Sequence, residues 1–448
     1  MLTLSAIDDL SIDDRYKGIP GGTPAFPLKE LGTRGWNVLR GDVPLPLAVL
    51  KESALAHNRR WMQRFLALSR AQFAPHGKTT MAPQLFQMQL EDGAWGITLA
   101  TMQQVQVARR FGCSRILLAN ELVDPRAIEY IVGELARDDG LEFLCLVDSV
   151  ASVETLGTAA KEHRLKRPLE VLLEGGLPGG RTGCRNLEEA YDVALAVARH
   201  SPFLALRGVE GFEGIIAEAT PQESAAKVQR FLAFLLEIAQ WCEEEGLFAP
   251  GKVVISAGGS EYFDLVADIL PKSGLKRETQ IIIRSGCYLT HDSDLFMDLQ
   301  RKLEERTPAA KDLGAPPKAA LEIWSHVLSR PEPTRAILGV GKRDASHDSR
   351  LPLPVLWFRP GLHKVPQTMP PGHSTFKLHD QHALLNIPES SPLQIGDLVA
   401  CGILHPSGNV VLVIHHCQQP PLVERGAGVR DAAGDEVADL ERRAFRNV

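Results

Sequence analysis

Cysteine, aromatic residues and surplus positive charge are all scarce in this sequence. Seven cysteines are scattered over 448 residues, and their odd number and wide spacing exclude a disulfide scaffold and fit a reduced, cytoplasmic chain. The formal net charge is -6 and no basic stripe carries interleaved aromatics, which argues against a nucleic-acid-binding protein. No apolar run is long enough to cross a bilayer, and residues 1–16 hold four aspartates instead of an apolar signal core. We therefore expect a cytoplasmic protein that binds neither nucleic acid nor membrane.

What the sequence does contain is a long alternation of short apolar runs and helix-like segments. The chain is long enough for more than one domain with a sizeable core. The predicted strands are residues 71–75, 96–99, 115–119, 142–147, 169–173, 206–210, 253–256 and 280–284. The clearest helix-like segments are 102–110, 125–136, 187–199 and 223–243, with a further amphipathic segment at 47–68. Eight strands that alternate with helices predict an α/β fold, a parallel (β/α)8 TIM barrel, with an open doubly wound sheet as the alternative.

The sequence changes character after about residue 306. An Ala/Pro/Lys linker is followed by alternating segments separated by proline and glycine, which predict a second, smaller, mainly-β domain. Its predicted strands are 322–328, 336–340, 353–358, 378–385, 397–404 and 410–414. We therefore divide the chain into a barrel (40–306), a mainly-β domain (1–39 with 307–425) and a tail (426–448). The second domain also holds most of the histidines: His373, His379, His382, His405, His415 and His416.

One lysine stands at the end of the first predicted strand. Pro75 and Pro83 restrict the backbone on either side, so Lys78 projects from a fixed place, close to His76. A lysine with a lowered pKa is the usual partner of an aldehyde cofactor in a Schiff base. A solvated loop lysine is the alternative interpretation, so the case depends on the rest of the chain.

Polar residues follow the predicted strands, where a barrel has its C-terminal mouth. Barrel enzymes keep their sites there, and phosphate commonly binds in the loops after strands 7 and 8. The loop after strand 7 contains Gly258 and Gly259, which would let a phosphate approach backbone N–H groups, and a helix starting near Ser260 would add a favourable dipole. A second glycine turn, at Gly286, follows strand 8. A simple tight turn is the alternative interpretation of the glycine pair.

Short motifs occur in order from about residue 40 to 410, along nearly the whole chain. They are Pro75–Thr79, Gly96–Thr101, Arg181–Gly183, Gly208–Gly211, Ser256–Ser260, Arg284–Tyr288, Asp344–Ser346, Asp380–His382, and Gly396-Asp397 with His405. In this combination the sequence resembles the fold-type III pyridoxal-phosphate enzymes of the D-threonine aldolase and D-serine dehydratase family. Within the family it is most similar to bacterial amino-acid deaminase, or D-serine deaminase-like, proteins. The resemblance implies an alanine racemase-like N-terminal barrel.

The resemblance also implies roles for the matching residues. Lys78 would hold pyridoxal 5'-phosphate (PLP) as a Schiff base, Arg181 would face the pyridine nitrogen, and His382 would be a catalytic residue from the second domain. The other implied cofactor contacts are His76, Thr98, Ser256, Gly258, Gly259, Ser260, Gly286 and Tyr288. The protein would be a homodimer, because in this fold the second domain of one subunit commonly lies near the barrel mouth of the other.

A divalent metal, zinc or manganese, is a further implication that the sequence only half supports. The family holds it through a His-x-Cys or His-x-Asp pair in the second domain. His405 matches the first ligand, but the partner position is Ser407, and a hydroxyl is a poor ligand beside a thiolate or carboxylate. Another His-x-Cys stands at His415 and Cys417, beyond a strand-like run. A metal at His405 and a metal-free site therefore both stay open.

The expected substrate is a small β-hydroxy D-amino acid. An arginine at the ring nitrogen weakens the electron sink of the cofactor, so the β-hydroxyl needs help from a metal or from a general acid such as His382. Loss of the hydroxyl from D-serine would give a 2-oxo acid and ammonia, and this dehydration is the first expectation. Aldolase cleavage to glycine and an aldehyde is the second. An amino-acid racemase and a non-enzymatic PLP carrier share the barrel and remain further alternatives, although carriers lack a β domain.

Overall fold

The computed structural model describes residues 1–293, 303–307, 313–347 and 350–403. An N-terminal segment carries α1 (Ser5–Asp8) and the antiparallel pair β1 (Ser11–Ile12) and β2 (Phe26–Pro27). The next strand, β3 (Leu47–Leu50), is buried at all four positions. The predicted helix over 47–68 therefore begins later, because a strand can bury four consecutive residues between neighbouring layers whereas an amphipathic helix buries one stripe.

Eight parallel strands form the barrel, and each predicted strand is confirmed with small shifts at its ends. They are β4 (Gln72–Phe73), β5 (Ile97–Leu99), β6 (Arg115–Glu121), β7 (Glu142–Val147), β8 (Leu169–Gly175), β9 (Leu204–Gly211), β10 (Val253–Ala257) and β11 (Thr279–Ile283). Neighbours in sequence pair in parallel, and β11 returns to β4. A backbone bridge between His76 and Thr98 joins the first strand to the second and closes the barrel, which excludes the open sheet.

The helices follow the strands on the outside of the barrel. They are α2 (Glu52–Leu68), α3 (Pro83–Glu91), α4 (Met102–Arg110), α5 (Pro125–Arg137), α6 (Val150–Glu162), α7 (Leu187–Arg199), α8 (Pro221–Glu244) and α9 (Phe263–Ile269). Several begin at a side-chain cap; at α8 the Thr220 side chain and Glu223 form a reciprocal capping box. No helix among the described residues has both the length and the apolar character needed to cross a membrane.

Alternate strand residues point into the barrel and fill it. This lumen cluster consists of Ala74, Leu117, Leu144, Leu146, Leu172, Val254 and Ile282. Because side chains alternate with a period of two, the next inward positions along each strand face the C-terminal mouth. On five strands that next position is polar: His76, Asp148, Glu174, Ser256 and Arg284. The apolar residues of the lumen therefore form the floor of a polar mouth.

The second domain is a mainly antiparallel sheet, as predicted. Its strands are β12 (Leu321–Glu332), β13 (Arg335–Leu338), β14 (Leu353–Phe358), β15 (Gln367–Thr368), β16 (Ser374–Leu378), β17 (Ala383–Asn386) and β18 (Leu398–Gly402). The strand order is β15-β14-β18-β12-β13-β17-β16, and β3 also pairs with β12. The predicted strand over 378–385 is instead a hairpin, because the His379 N–H donates to the His382 carbonyl at 2.8 Å and reverses the chain. The predicted strand over 410–414 lies outside the described residues.

Candidate active site

The mouth of the barrel is divided into a basic half and an acidic half. Lys78 follows β4 and Arg284 follows β11, so these two basic side chains come from neighbouring strands. Glu121, Asp148 and Glu174 stand at the ends of β6, β7 and β8, in the other half. A ligand with an anionic group would therefore be favoured near β4 and β11.

Lys78 lies in the basic half, on a one-turn 3-10 helix (Gly77–Thr79) directly after β4. Its side chain is exposed at the mouth. The surrounding protein and the charge of Arg181, with a smaller effect of Arg284, lower the pKa of its amine. A Cβ at Gly77 would approach the Phe86 ring to 2.7 Å, so only glycine lets the lysine turn lie this close to the barrel wall.

His76 is a neutral ring in the floor next to Lys78. Burial and the nearby charges of Lys78 and Arg284 hold the pKa of His76 well below its usual value. Its Nδ1 is buried without a hydrogen-bond partner in the described structure. Beside it, Thr98 is fully buried and its hydroxyl donates to the Ala74 carbonyl at 2.7 Å. The Nδ1 atom of His76 is thus available for a ligand, whereas the hydroxyl of Thr98 links the second strand of the barrel to the first.

Arg181 extends over the mouth from the loop after β8. Its guanidinium lies 4.5 Å from the centroid of the Phe212 ring, a cation–π contact. The acidic half anchors this loop: Asp148 accepts from the Gly183 N–H at 3.0 Å, and Glu174 accepts from the Thr182 hydroxyl at 3.0 Å. The side chain of Arg181 is exposed and available to a ligand.

The glycine pair after β10 already has an internal anion. The N–H groups of Gly258 and Gly259 donate to the carboxyl group of Glu213 at 3.0 and 2.7 Å. Glu213 is fully buried, and burial raises the pKa of its carboxyl group. These two amides, which the sequence suggested for phosphate, are therefore used inside the protein in this structure.

The remaining predicted contacts around strands 7 and 8 differ in what they can offer. Ser256 donates to the Ile282 carbonyl at 2.9 Å and is fully buried, so it holds β10 against β11. The hydroxyl oxygens of Ser260 and Ser285 lie 3.5 Å apart at the loop ends. A Cβ at Gly286 would lie 2.5 Å from the His76 carbonyl, so this glycine lets the strand-8 loop approach the lysine turn.

Tyr288 makes its described contacts with the first strand and with α3. Its hydroxyl lies 3.3 Å from the Gln89 Nε2 atom on α3, and its ring packs edge-on against Phe73 at 5.1 Å. The residue is 4% exposed, and burial raises the pKa of its hydroxyl. The tyrosine therefore joins the first strand to α3.

Several residues at the mouth received no role from the sequence. Arg284 is 5% exposed, forms an ion pair with Glu210, and donates to the Gly211 carbonyl at 2.9 Å. Cys287 is 8% exposed, and burial raises the pKa of its thiol. Hydrogen bonds with the hydroxyls of Ser260 and Thr79 offset part of this rise. Arg284 could have been predicted from the sequence, because side chains alternate along a strand and Arg284 lies two residues after the inward-facing Ile282. The acidic half could not, because its three carboxyl groups come from three different strands.

His382 lies on the turn between β16 and β17 and is exposed. A neighbouring loop holds this turn: the N–H of Lys342 donates to the His379 carbonyl at 2.9 Å, and Gly341 fits against it because a Cβ there would lie 2.4 Å from two turn carbonyls. The loop is in turn tied to the N-terminal segment by an ion pair between Asp344 and Lys17. The candidate metal residues His405, Ser407, His415 and Cys417 lie outside the described residues.

Comparison with known proteins supports this two-domain arrangement. Residues 50–270 match the family described as "Alanine racemase, N-terminal domain", and residues 320–413 match "Putative serine dehydratase domain". A D-threonine aldolase from Arthrobacter sp. is 26% identical over 428 residues, 95% of this chain and 96% of that protein. A D-threo-3-hydroxyaspartate dehydratase from Delftia sp. (strain HT23) is 26% identical over 251 residues, 55% of this chain and 61% of that protein.

A solved structure shares the fold. The D-threonine aldolase from Filomicrobium marinum superposes with a TM-score of 0.65 at 21% identity, covering 82% of this chain and 89% of that one. The resemblance deduced from the motifs is thus confirmed at the level of fold and relatives. The chain joins an alanine racemase N-terminal domain to a serine dehydratase domain and is related to the D-threonine aldolases and D-hydroxyaspartate dehydratases.

Proposed function

We propose that this protein is a PLP-dependent lyase acting on small β-hydroxy D-amino acids. The observation that carries the proposal is Lys78, an amine with a lowered pKa at the end of the first barrel strand. The relatives support the substrate class, since their names describe lyases of D-threonine and of D-threo-3-hydroxyaspartate. Both are β-hydroxy amino acids.

The residues at the mouth fit PLP at its reactive end and at its ring. Lys78 offers an amine to the cofactor aldehyde, and Arg181 offers a guanidinium to the ring nitrogen. Because Glu213 uses the amides of Gly258 and Gly259, we assign the phosphate contacts to the hydroxyls of Ser260 and Ser285. When bound, PLP supplies the electron sink that weakens the bonds at the substrate Cα.

We assign the two proton transfers of the reaction to side chains of the protein. Its lowered pKa makes Lys78 easier to deprotonate than an ordinary lysine, and we assign it as the base that takes the Cα proton. His382 gives a proton to the departing β-hydroxyl, which leaves as water. The resulting enamine hydrolyses to a 2-oxo acid and ammonia, so D-serine would yield pyruvate. We assign dehydration of D-serine as the first activity.

Retro-aldol cleavage is the second candidate, and one observation favours it. The D-threonine aldolase from Arthrobacter sp. aligns over 95% of this chain, including both domains. In that reaction a base removes the β-hydroxyl proton, the Cα–Cβ bond breaks, and the products are glycine and an aldehyde. The same lysine and arginine would serve either outcome.

Product analysis separates the two activities. The purified protein, loaded with PLP, is incubated with D-serine, D-threonine and their L-forms, with and without Zn²⁺ or Mn²⁺. We expect a 2-oxo acid and ammonia from D-serine and no reaction of the L-forms. Glycine with acetaldehyde from D-threonine as the main products would establish the aldolase instead. No product from any of the four substrates would contradict the lyase assignment.

The role of a metal can be tested alongside. Because serine at 407 is a poor ligand, we expect a chelator to leave D-serine turnover unchanged, while His382→Ala lowers kcat by about 10²–10⁴-fold as expected for loss of a general acid. Loss of turnover on chelation, restored by Zn²⁺ and strengthened by Ser407→Cys, would instead establish a catalytic metal at His405.

We further propose that the enzyme works as a cytoplasmic homodimer. The cysteines in the described residues are all free and buried, which suits a reducing compartment. The hairpin turn that carries His382 is exposed, as expected for a residue that serves the barrel mouth of a partner subunit.

A further inference from the structure

Three carboxyl groups meet in the acidic half of the mouth. Glu121, Asp148 and Glu174 come from the successive strand ends β6, β7 and β8, and each offers an oxygen within 4.8 Å of the others. Adjacent strands lie about 4.8 Å apart, so inward side chains at the same level necessarily approach each other. The proposed reaction uses none of these three groups as an acid or base.

No cationic side chain in the described part of the chain forms an ion pair with this trio. The two nearest guanidinium groups on the same loop have other partners. Arg181 stacks on Phe212, and Arg185 donates to the carbonyls of Thr182, Gly180 and Arg181. Among the described residues, no side-chain cation therefore pairs with the carboxyl groups of the acidic half.

Oxygens of this trio are also buried without partners in the described structure. Glu174 is 5% exposed, and its Oε2 accepts no hydrogen bond, although its Oε1 is satisfied by Thr182. Both carboxyl oxygens of Glu121 are likewise buried without a partner. Buried polar atoms are almost always paired, and an isolated buried carboxylate is strongly unfavourable. These oxygens therefore require a positive partner, which is either a proton or a metal ion.

We propose that Glu121, Asp148 and Glu174 bind a hard divalent cation, of the Ca²⁺, Mg²⁺ or Mn²⁺ class. Carboxylate oxygens are the preferred ligands of such ions, at about 2.0–2.6 Å. Two oxygens on opposite sides of one ion are then about 4–5 Å apart, which matches the spacing of the trio. The proposal uses none of the metal ligands considered in the second domain and does not depend on the proposed lyase activity.

The ion would have a structural effect on the neighbouring loop. Asp148 and Glu174 each hold the loop that carries Arg181, through Gly183 and Thr182. A cation between these carboxylates would fix both anchors at once. Its removal is expected to lower the thermal stability of the protein, while the hydrogen bonds from Thr182 and Gly183 keep the Arg181 loop in place.

Calorimetric titration of the full chain tests the site. The His405→Ala/Cys417→Ala variant, stripped with EDTA, is titrated with CaCl₂, MgCl₂ and MnCl₂ at about pH 8.5 and about pH 6. This background removes one ligand from each of the other two candidate metal pairs. We expect one saturable site, with affinity about tenfold lower at the lower pH because protons compete for the ligands. At 100 times Kd, the Tm should rise by about 2–3 °C.

Matched glutamine variants identify the ligands. Glu121→Gln and Glu174→Gln should each abolish saturable binding, whereas Glu142→Gln, which removes one exposed charge from the other end of β7, should keep it. Two variants are used so that a fold defect in one, visible in the thermal scan, does not hide the result. Absence of saturable binding at both pH values would show that protons fill the trio, and unchanged binding in both variants would place the ion elsewhere. Either result overturns the proposal.

Discussion

At the scale of single residues, the chemistry of the mouth depends on charges that shift one another. The positive charges of Arg181 and Arg284 lower the pKa of Lys78, and together with the charge of Lys78 they lower the pKa of His76. The lowered pKa of Lys78 makes the neutral, nucleophilic form of its amine more accessible than in an ordinary lysine. Arg284 forms an ion pair with Glu210, and the buried carboxyl group of Glu213 also interacts with its charge.

We predict that Lys78→Ala abolishes both the yellow colour of the PLP-loaded protein and its turnover. The alanine variant has no amine for the cofactor aldehyde, so PLP can bind there only non-covalently. Borohydride reduction followed by peptide mapping should place the cofactor on Lys78 in the wild type. Lys252→Ala, which removes an exposed lysine paired with Glu278, is the control and should stay yellow. Cofactor fixed to another lysine would contradict the assignment.

A second prediction at this scale concerns pH and stability. Burial and the neighbouring Glu174 raise the pKa of Glu121 to about 9, from an ordinary value of 4.5. Between these values the folded protein holds more protons than the unfolded chain, so the free energy of unfolding falls as pH rises through this window. In EDTA at about pH 8.5, Glu121→Gln should gain about 1–3 kcal/mol over the wild type. At pH 4, where Glu121 is protonated in both states, the gain should disappear.

Chemical denaturation at several pH values measures this effect. Glu142→Gln is the matched control, since this glutamate is exposed and paired with Arg115 at 2.8 Å. A pH profile that is parallel for the wild type and for Glu121→Gln would show that Glu121 is ionised normally in the folded protein.

At the scale of elements, the lysine turn depends on glycines that let three segments touch. A Cβ at Gly77 would meet Phe86 of α3 and Ile97 of β5, and one at Gly286 would meet the backbone before Lys78. Met81 adopts φ 45°, a conformation uncommon for a residue with a side chain, directly after the turn. The position of Lys78 is therefore determined by close packing of β4, α3 and the strand-8 loop.

We predict that Gly77→Ala displaces the turn and weakens cofactor binding. The added Cβ would lie 2.7 Å from the Phe86 ring and 2.9 Å from Ile97, contacts that require movement. Overpacking of this kind costs about 1–3 kcal/mol of stability. Thermal unfolding and PLP titration measure the two effects. Gly32→Ala is the control, because a Cβ there meets nothing within 4 Å, and an equally small change in both variants would contradict the packing argument.

At the scale of the whole molecule, the second domain and the N-terminal segment are tied to each other and to the barrel. The strand β3 (Leu47–Leu50) pairs with β12, and the next residues begin α2 against the barrel. Lys17 pairs with Asp344, whose loop holds the turn with His382. The proposed general acid is thus positioned by segments far apart in sequence.

We predict that the protein sediments as a dimer at micromolar concentration. The proposed reaction needs the His382 turn close to a barrel mouth, and in this fold that mouth commonly belongs to the partner. Sedimentation velocity measures the species directly. A single species with the 49.1 kDa mass of one chain, retaining full D-serine turnover, would contradict the dimer.

The sequence by itself determined the order and type of the main elements. Eight apolar runs and their intervening amphipathic segments predicted the barrel, because alternation of strand and helix is a local property with a short period. It also predicted Lys78 and Arg181 as site residues, since their motifs are contiguous in the chain. The hairpin over 378–385 was missed because its turn carries no glycine or proline; its reversal depends on a backbone bond and on the loop at Gly341.

Only the tertiary structure decided which polar groups are free and which are used within the protein. In the fold the amides of Gly258 and Gly259 donate to Glu213, and the hydroxyl of Tyr288 lies beside Gln89, contacts that no sequence pattern predicted. The meeting of Glu121 and Glu174, 53 positions apart by their numbers, was likewise beyond any local pattern. Hydrogen bonds and charges act between groups that are close in space, and barrel closure brings together strand ends that the sequence keeps far apart.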